Sequence, residues 1–273
     1  MNHIVTSFLN HKGEKLSYQY WEESSKSYNK IIILIHGLCY HGGAYPFLIP
    51  AMVNKGYKVY AIDLKGFGRS PGERGDIDDF SLYVDDLEAF RRMVKGREGY
   101  REIIFLGHSL GASVALAYPL RYPENPVRTI LASLLLSSPL IDSAIKDEES
   151  PVDVTLEDFV TDQGRVERLT EDELIVKKIT KRLLVKIDES NRKVEENLEK
   201  LKSSKLLFLH GEFDKIADVN AVERFYEKVE CKRKKLVTFP RMLHDIFAEK
   251  RREQVFNAIS LWLSETEFEH KAP

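Results

Sequence analysis

The sequence predicts an α/β protein with a mostly parallel eight-stranded sheet, helices on both faces, and a helical cap inserted after the sixth strand. Two observations predict this fold. Short apolar runs alternate with longer segments of helical period, which is the pattern of a parallel sheet wrapped by helices. A long segment rich in Lys and Glu then interrupts the alternation between Pro139 and Ser204. The chain of 273 residues is long enough for one domain with such an insertion.

The strand signals come first along the chain. Residues 4–9 and 16–21 flank a turn-forming stretch and predict an antiparallel hairpin. The later strands are compact and apolar, as strands covered on both faces must be. They are predicted at 31–35, 58–62, 103–106, 130–136, 205–209 and 235–238.

The helical segments fall between most of these strands. Each places apolar residues three and four apart, which gives a helix one buried stripe. They are predicted at 45–55, 80–95, 109–122, 220–229 and 246–263.

The insertion carries its own helix signal. The run Thr-Glu-Asp-Glu at 170–173 predicts a capping box, followed by an apolar-periodic helix that ends near Ile187. The sequence therefore predicts a core of residues 1–138 and 205–273 and a helical cap of residues 139–204.

Composition excludes some partners. Lys and Arg total 41 against 43 acidic residues, so a net charge of -2 provides no field that would attract nucleic acid.

Cys39 and Cys231 have no metal-ligand spacing and predict free thiols in a reduced compartment. The first ten residues contain no secretory signal, and no run is long enough to span a bilayer, so the prediction is a cytoplasmic protein.

A candidate nucleophile lies in the motif Gly107-His108-Ser109-Leu110-Gly111. The motif falls where a buried strand ends and a helix begins. A nucleophile elbow needs this context, because its turn is tight and strained and small residues must flank the serine. The sequence therefore predicts that Ser109 stands above the sheet as a nucleophile.

A serine nucleophile needs a histidine base, and that base needs a carboxylate to hold it in one tautomer. His244 lies in the loop between the last strand and the last helix. Asp214 lies in the turn after the strand at 205–209, with Glu212 and Asp218 as alternatives. Asp214 is favoured because the loop past Gly211 can aim it at the elbow, whereas Asp218 is suited to begin the next helix as a cap.

The tetrahedral intermediate of acyl transfer needs two backbone donors. The amide of Leu110 comes with the elbow, and the amide of Leu38 comes from the glycine-containing loop after the third strand. His36, at the end of that strand, is predicted to bond to backbone and shape the loop rather than act as a base.

Several segments together resemble the monoacylglycerol-lipase-like branch of the α/β-hydrolase family, of the serine aminopeptidase S33 or hydrolase-4 type. The resemblance is carried by HGLCYHGGAYPFL, YAIDLKGFGRSPGERG, FLGHSLGASVAL, LHGEFDKIAD and the loop with His244. It implies the α/β-hydrolase fold, a triad of Ser109, Asp214 and His244, an oxyanion hole from Leu38 and Leu110, and no metal or organic cofactor. The chain departs from many members at residues 39–41, where Cys-Tyr-His replaces Gly-Glu-His.

These residues predict a serine carboxylic-ester hydrolase, either a monoacylglycerol lipase or a related carboxylesterase acting on single-chain acyl esters with water. Ile175, Ile179 and Leu183 form an apolar stripe in the predicted cap. That stripe either lines a tunnel for the acyl chain or only holds the cap together. The cap is also expected to contact lipid aggregates transiently.

Other functions stay open on sequence alone. Ser109 argues against epoxide hydrolases and dehalogenases of this fold, which normally carry Asp at the elbow. A short-chain carboxylesterase, a thioesterase, a cofactor-free haloperoxidase or a C–C bond hydrolase could use the same triad, because fold does not settle function. A binding module without catalysis is a further alternative, although such proteins often lose a triad member and none is lost here.

Overall fold

The computed structural model describes residues 1–23, 28, 30–99, 101–146 and 151–268. The strands are β1 (Asn2–Leu9), β2 (Lys15–Glu22), β3 (Lys30–Ile35), β4 (Lys58–Ile62), β5 (Glu102–His108), β6 (Arg128–Ala132), β7 (Val152–Asp153), β8 (Lys178–Ile179), β9 (Lys205–Gly211) and β10 (Arg233–Phe239). The helices are α1 (Leu48–Asn54), α2 (Ser81–Glu98), α3 (Leu110–Arg121), α4 (Pro139–Lys146), α5 (Gln163–Glu171), α6 (Lys181–Glu195), α7 (Val219–Lys228) and α8 (Arg252–Phe268).

Eight strands form one sheet in the order β1-β2-β4-β3-β5-β6-β9-β10. The pairs β1–β2 and β2–β4 are antiparallel, and every other pair in this sheet is parallel. The central strands β3, β4 and β6 are largely buried and mostly apolar, because helices cover both of their faces. The predicted fold class and the opening hairpin are therefore confirmed.

Parallel pairing brings the carboxyl ends of the strands to one edge of the sheet. Ile35 at the end of β3 pairs with Gly107 on β5, and His108 pairs with Ala132 at the end of β6. The loops that follow β3, β5, β6, β9 and β10 therefore start side by side. In open α/β sheets, ligands bind at this carboxyl edge.

The intervening segment (residues 133–204) joins β6 to β9 and lies against the loops of the carboxyl edge. The amide of Val176 donates to Cys39 O at 2.9 Å, and the amide of Thr180 donates to Gly75 O at 3.0 Å. Besides α4, α5 and α6, the segment contains the antiparallel pair β7–β8, which the sequence pattern did not predict. The division into a core and a cap stays a prediction, and residues 24–27, 29, 100, 147–150 and 269–273 of that division lie outside the described residues.

The predicted capping box at 170–173 is wrong. Glu171 is the last residue of α5, and Asp172 follows it as the C-cap. The next helix, α6, begins ten residues later with Thr180 as its N-cap, whose hydroxyl accepts a hydrogen bond from Leu183 N at 3.1 Å. The side chain of Asp172 instead accepts from the backbone of Leu174 and from the ring of His41.

Other predicted boundaries also move, and α6 ends at Glu195 rather than near Ile187. Strand β6 ends at Ala132 rather than at residue 136, because Ser133 turns the chain with a φ of 47°. Helix α1 begins at Leu48 rather than at residue 45, and helix α8 begins at Arg252 rather than at residue 246. Both skipped stretches place side chains against the candidate site described below. Within the described part of the chain, no helix is long and apolar enough to cross a membrane.

Candidate active site

Ser109 occupies a strained turn between β5 and α3. Its backbone φ of 54° and ψ of -116° lie outside the regions that residues with a Cβ atom normally adopt. The turn is possible only because glycines stand two positions before and two positions after the serine. A Cβ added at Gly107 would lie 2.3 Å from Gly111 O, and one added at Gly111 would lie 2.1 Å from Ile35 O. This geometry is that of the nucleophile elbow the motif predicted.

The structure brings His244 and Asp214 together. Nδ1 of His244 lies 2.8 Å from Oδ2 of Asp214, and both side chains are fully buried. Because a carboxylate only accepts, Nδ1 carries the proton and Nε2 is left as the acceptor. The two residues come from the loops after β10 and β9, which are adjacent parallel strands.

The carboxylate of Asp214 is held by four donors. Oδ1 accepts from the amides of Ile216 and Ala217 at 2.8 and 2.9 Å. Oδ2 accepts from His244 and, at 3.1 Å, from Nε2 of His210. Burial raises the pKa of Asp214, but the charge interaction with His244 and the hydrogen bonds from both histidines outweigh it and hold the pKa well below its usual range.

The alternatives to Asp214 are placed elsewhere. Asp218 is the N-cap of α7, where its side chain accepts from Asn220 N at 2.9 Å, as the sequence predicted for it. Glu212 is exposed and accepts from the amide of Arg241. Neither residue contacts His244 among the described hydrogen bonds.

Ser109 and His244 lie in neighbouring segments. The ring of His108, the residue before Ser109, has its centroid 5.2 Å from that of His244, and its Nε2 donates to His244 O at 3.3 Å. Oγ of Ser109 and Nε2 of His244 are both buried, and neither has a hydrogen-bond partner among the residues the structure describes. These two atoms are therefore free to bond to each other or to a substrate.

The site is covered in this structure. Ser109 and His244 are both 0% exposed. Phe159 of the intervening segment stands edge-on against the His244 ring, with centroids 5.2 Å apart, and stacks on Tyr40 at 5.7 Å. In this arrangement Ser109 and His244 are closed off from solvent.

The loop after β3 lies against the elbow. A Cβ added at Gly37 would lie 3.2 Å from Ser109 Cβ, so the peptide that joins Gly37 to Leu38 passes beside the serine. The loop then turns through Cys39, which adopts a φ of 69°. The amide of Leu110 begins α3 directly after Ser109. Leu110 and Gly37, the residue before Leu38, thus lie next to Ser109.

Two buried histidines hold this edge of the sheet in place. His36 accepts from Leu64 N through Nε2 and donates from Nδ1 to Gly37 O, so it shapes the loop as predicted. His108 accepts from the hydroxyl of Tyr45 at 3.1 Å, and that hydroxyl accepts from Gly37 N at 2.9 Å. Burial lowers the pKa of His36 to about 4 and that of His108 to about 3, so both rings are neutral at neutral pH.

These two histidines make stability depend on pH. Free histidine titrates near pH 6.5. Below that pH both histidines are therefore protonated in the unfolded chain. In the folded chain, His36 is protonated only below about pH 4 and His108 only below about pH 3. Their contribution to stability is complete above pH 6.5 and is lost as the pH falls. Asp86 and Asp245 oppose this trend, because burial raises the pKa of both carboxyl groups, that of Asp86 to about 6, and the folded chain takes up their protons first.

We expect a net loss of at most about 2 kcal/mol in the free energy of unfolding between pH 7 and pH 5, because one pKa unit corresponds to about 1.4 kcal/mol. Urea unfolding at the two pH values measures it. The variant Asp86→Asn should lose more, because it removes part of the opposing proton uptake. Equal unfolding midpoints at both pH values would contradict the buried neutral histidines.

The three residues predicted for an acyl tunnel are all buried in the intervening segment. Ile179 lies in β8 and is 0% exposed, Leu183 lies in the first turn of α6 at 0%, and Ile175 is 5% exposed. All three belong to the continuous apolar core. Their contact with substrate stays a prediction.

Sequence reasoning assigned no role to several side chains that support the site. His210 is the penultimate residue of β9, four positions before Asp214, and a histidine at that strand end was a usable signal. Ser133 donates to His244 O at 2.6 Å, but the predicted strand ran straight through it. Tyr45 and Glu249 fell within the helices predicted at 45–55 and 246–263. The apolar pattern of a helix does not indicate which of its polar side chains contact the site. Within the described residues, no three His, Cys, Asp or Glu side chains converge as a metal site requires.

The sequence matches the family described as serine aminopeptidase, S33 over residues 26–251. It is 24% identical to a monoacylglycerol lipase of Mycolicibacterium smegmatis over 94% of this chain and 95% of that protein. It is 27% identical to phospholipase YtpA of Bacillus subtilis over 84% of this chain and 92% of that protein. A solved structure of a soluble variant of monoglyceride lipase from Saccharomyces cerevisiae has the same fold, with a TM-score of 0.84, 21% identity and coverage of 97% and 95% of the two chains.

The fold and the family match define the class of protein as a hydrolase of the α/β-hydrolase fold. The chain belongs to the serine aminopeptidase S33 family, and the family match covers most of the length of the chain. The predicted resemblance and the predicted class of enzyme, a carboxylic ester hydrolase, are confirmed at this level.

Proposed function

We propose that Ser109, His244 and Asp214 form a catalytic triad that transfers an acyl group from an ester to water. The observation that carries the proposal is the elbow at Ser109, with a φ of 54°, beside a buried histidine whose Nδ1 lies 2.8 Å from Asp214. The bond to Asp214 fixes the tautomer in which Nε2 of His244 can accept a proton. No such arrangement is needed for stability alone.

In the proposed reaction, His244 takes the proton of Ser109 as the hydroxyl attacks the ester carbonyl. Asp214 stabilises the imidazolium that forms, and its own low pKa keeps it ionised throughout. The alcohol leaves with the proton from His244, and water then attacks the acyl enzyme by the same steps. The products are a carboxylic acid and an alcohol.

The amides of Leu38 and Leu110 are proposed as the oxyanion hole. Their support is the position of the Gly37–Leu38 peptide beside Ser109 and of Leu110 at the start of α3. Donors that are fixed before the reaction stabilise the negative charge without reorganising when it develops. Tyr45 adds to this fixation, because its hydroxyl accepts from Gly37 N.

We propose monoacylglycerols and related single-chain acyl esters as the substrates. The support is the similarity over nearly the whole chain to a bacterial monoacylglycerol lipase, together with the apolar lining of the segment that covers Ser109. An acyl chain needs an apolar path to the serine. The proposed path runs along the buried stripe of Ile175, Ile179 and Leu183.

The acyl tunnel has a direct test. Ile179→Trp should shift the preferred acyl chain to shorter lengths, because the larger ring would fill the end of the tunnel. Leu183→Trp should act in the same direction. Chain-length profiles measured on p-nitrophenyl esters check this, and profiles equal to that of the wild type would remove both residues from the pocket.

The proposed function is tested by hydrolysis of monoacylglycerols and p-nitrophenyl esters across chain lengths, with fluorophosphonate labelling followed by mass spectrometry. We expect covalent label at Ser109 and highest turnover on monoacylglycerols. A peak on short esters would keep the mechanism and make the protein a general carboxylesterase. The absence of both label and turnover would refute the proposal and favour a binding module.

We also propose that the protein is cytoplasmic and that its intervening segment contacts lipid aggregates transiently. Cys39 and Cys231 are free thiols, which suits a reduced compartment. Ile145 on α4 of this segment is a large apolar residue that is 50% exposed. Cell fractionation tests the location, and co-sedimentation with phosphatidylcholine vesicles tests the contact; recovery in the membrane fraction or no co-sedimentation would refute the respective proposal.

A further inference from the structure

The carboxylate of Glu249 joins two segments that are far apart in sequence. Thr161 donates to it twice, from its amide to Oε1 at 3.0 Å and from its hydroxyl to Oε2 at 2.6 Å. The amide of Leu243, the residue before His244, also donates to Oε1, at 3.4 Å. Glu249 is only 4% exposed. A buried carboxylate with these donors fixes the backbone on both sides of it.

A second bond reaches the other side of the histidine. The amide of Asp245, the residue after His244, donates to Phe159 O at 2.6 Å. Phe159 also places its ring against the imidazole of His244. We call residues 159–165 the docking segment. The amide after His244 bonds to this segment directly, and the amide before His244 is connected to it through Glu249.

The docking segment reaches the loop after β3 as well. Arg165 is 5% exposed and donates to Ala44 O, and its guanidinium lies over the ring of Tyr40 at 6.0 Å. Tyr40 donates its hydroxyl to Asp245 at 3.1 Å. Burial raises the pKa of Asp245, and the charge of Arg165 opposes that effect. The same short segment thus contacts the loops that carry the base and the proposed oxyanion amide.

We infer that Glu249 is a positioning residue, which ties the loop of His244 to the docking segment through Thr161 and so holds the imidazole where it can reach Ser109. This inference rests on the proposed function. Displacement of a catalytic group by about 1 Å can cost a hundredfold in rate. Docking of the covering segment and placement of the base are then one event, and a protein with this segment undocked has an incomplete site.

The cleanest variant is Thr161→Val, which removes the hydroxyl donor and keeps the shape of the side chain. Glu249→Ala is less informative, because it empties a buried site and could prevent folding. We expect Thr161→Val to lower kcat about tenfold with KM unchanged, since a lost hydrogen bond to a charged group is of that size. The matched control Thr161→Ser keeps the hydroxyl and should retain wild-type kcat.

Hydrogen–deuterium exchange of the peptide that contains His244 provides a readout that does not need activity. Exchange there should be faster in Thr161→Val and equal to the wild type in Thr161→Ser. If Thr161→Val lowers only the melting temperature, with kcat and this exchange unchanged, Glu249 is merely structural and the inference is overturned.

Fluorophosphonate labelling of the wild type separates the two proposals. A wild type that is not labelled at Ser109 refutes the proposed function. Exchange then still decides whether the docking segment orders the loop of His244: faster exchange in Thr161→Val supports that ordering, and unchanged exchange overturns it.

Discussion

Ser109→Ala should lower kcat by about 10⁶-fold, because the members of a triad act as a unit and the residual rate comes from binding and the oxyanion hole alone. The structure gives a reason to expect little structural disturbance. Oγ of Ser109 has no hydrogen-bond partner among the described residues, so its removal breaks no bond of the fold. Initial rates of ester hydrolysis and a melting curve measure the two effects.

Ser113→Ala is the matched control for that variant. Ser113 lies one helical turn further along α3, is 1% exposed, and donates its hydroxyl to Leu135 O at 3.3 Å. Its loss should cost some stability and leave turnover near the wild-type value. Comparable activity in Ser109→Ala and the wild type, or equal losses in both variants, would count against Ser109 as the nucleophile.

The sequence predicted the sheet well because its signals are local. Apolar runs that are buried on both faces, and glycines flanking Ser109, follow directly from steric and hydrophobic requirements at those positions. The loops after the strand at 205–209 and after the last strand then indicated Asp214 and His244, which the structure brings together. The same reasoning separated Asp214 from Asp218, because an aspartate before a helix has a local use as a cap.

The intervening segment was predicted less well because its structure depends on contacts distant in sequence. The run at 170–173 has the local pattern of a helix start, but Asp172 bonds to His41 of another loop and the chain continues instead into β8. Helix α1 starts late because Tyr45 reaches Gly37 and His108. Glu249 could not be connected to Thr161 from sequence, since 88 positions separate them.

Asp214→Asn should lower kcat by about 10⁴-fold while the fold persists. In a serine triad, this exchange leaves the histidine in the wrong tautomer and causes a loss of that size. The oxygen of an asparagine can still accept from the amides of Ile216 and Ala217, which hold Oδ1 in the wild type. Its NH₂ group would then face Nδ1 of His244 and favour the tautomer with the proton on Nε2. That tautomer cannot accept the proton of Ser109.

Asp218→Asn serves as the matched control for the acid, because it lies four positions away and changes the same group. Asparagine is as good an N-cap as aspartate, so α7 should be retained and activity should stay near wild type. The pH profile of kcat separates a lost triad member from a disturbed fold. If Asp214→Asn kept wild-type turnover, the buried contact between Asp214 and His244 would be structural. The acid of the reaction would then have to be another carboxylate near the imidazole. Asp245 is the nearest such residue in sequence.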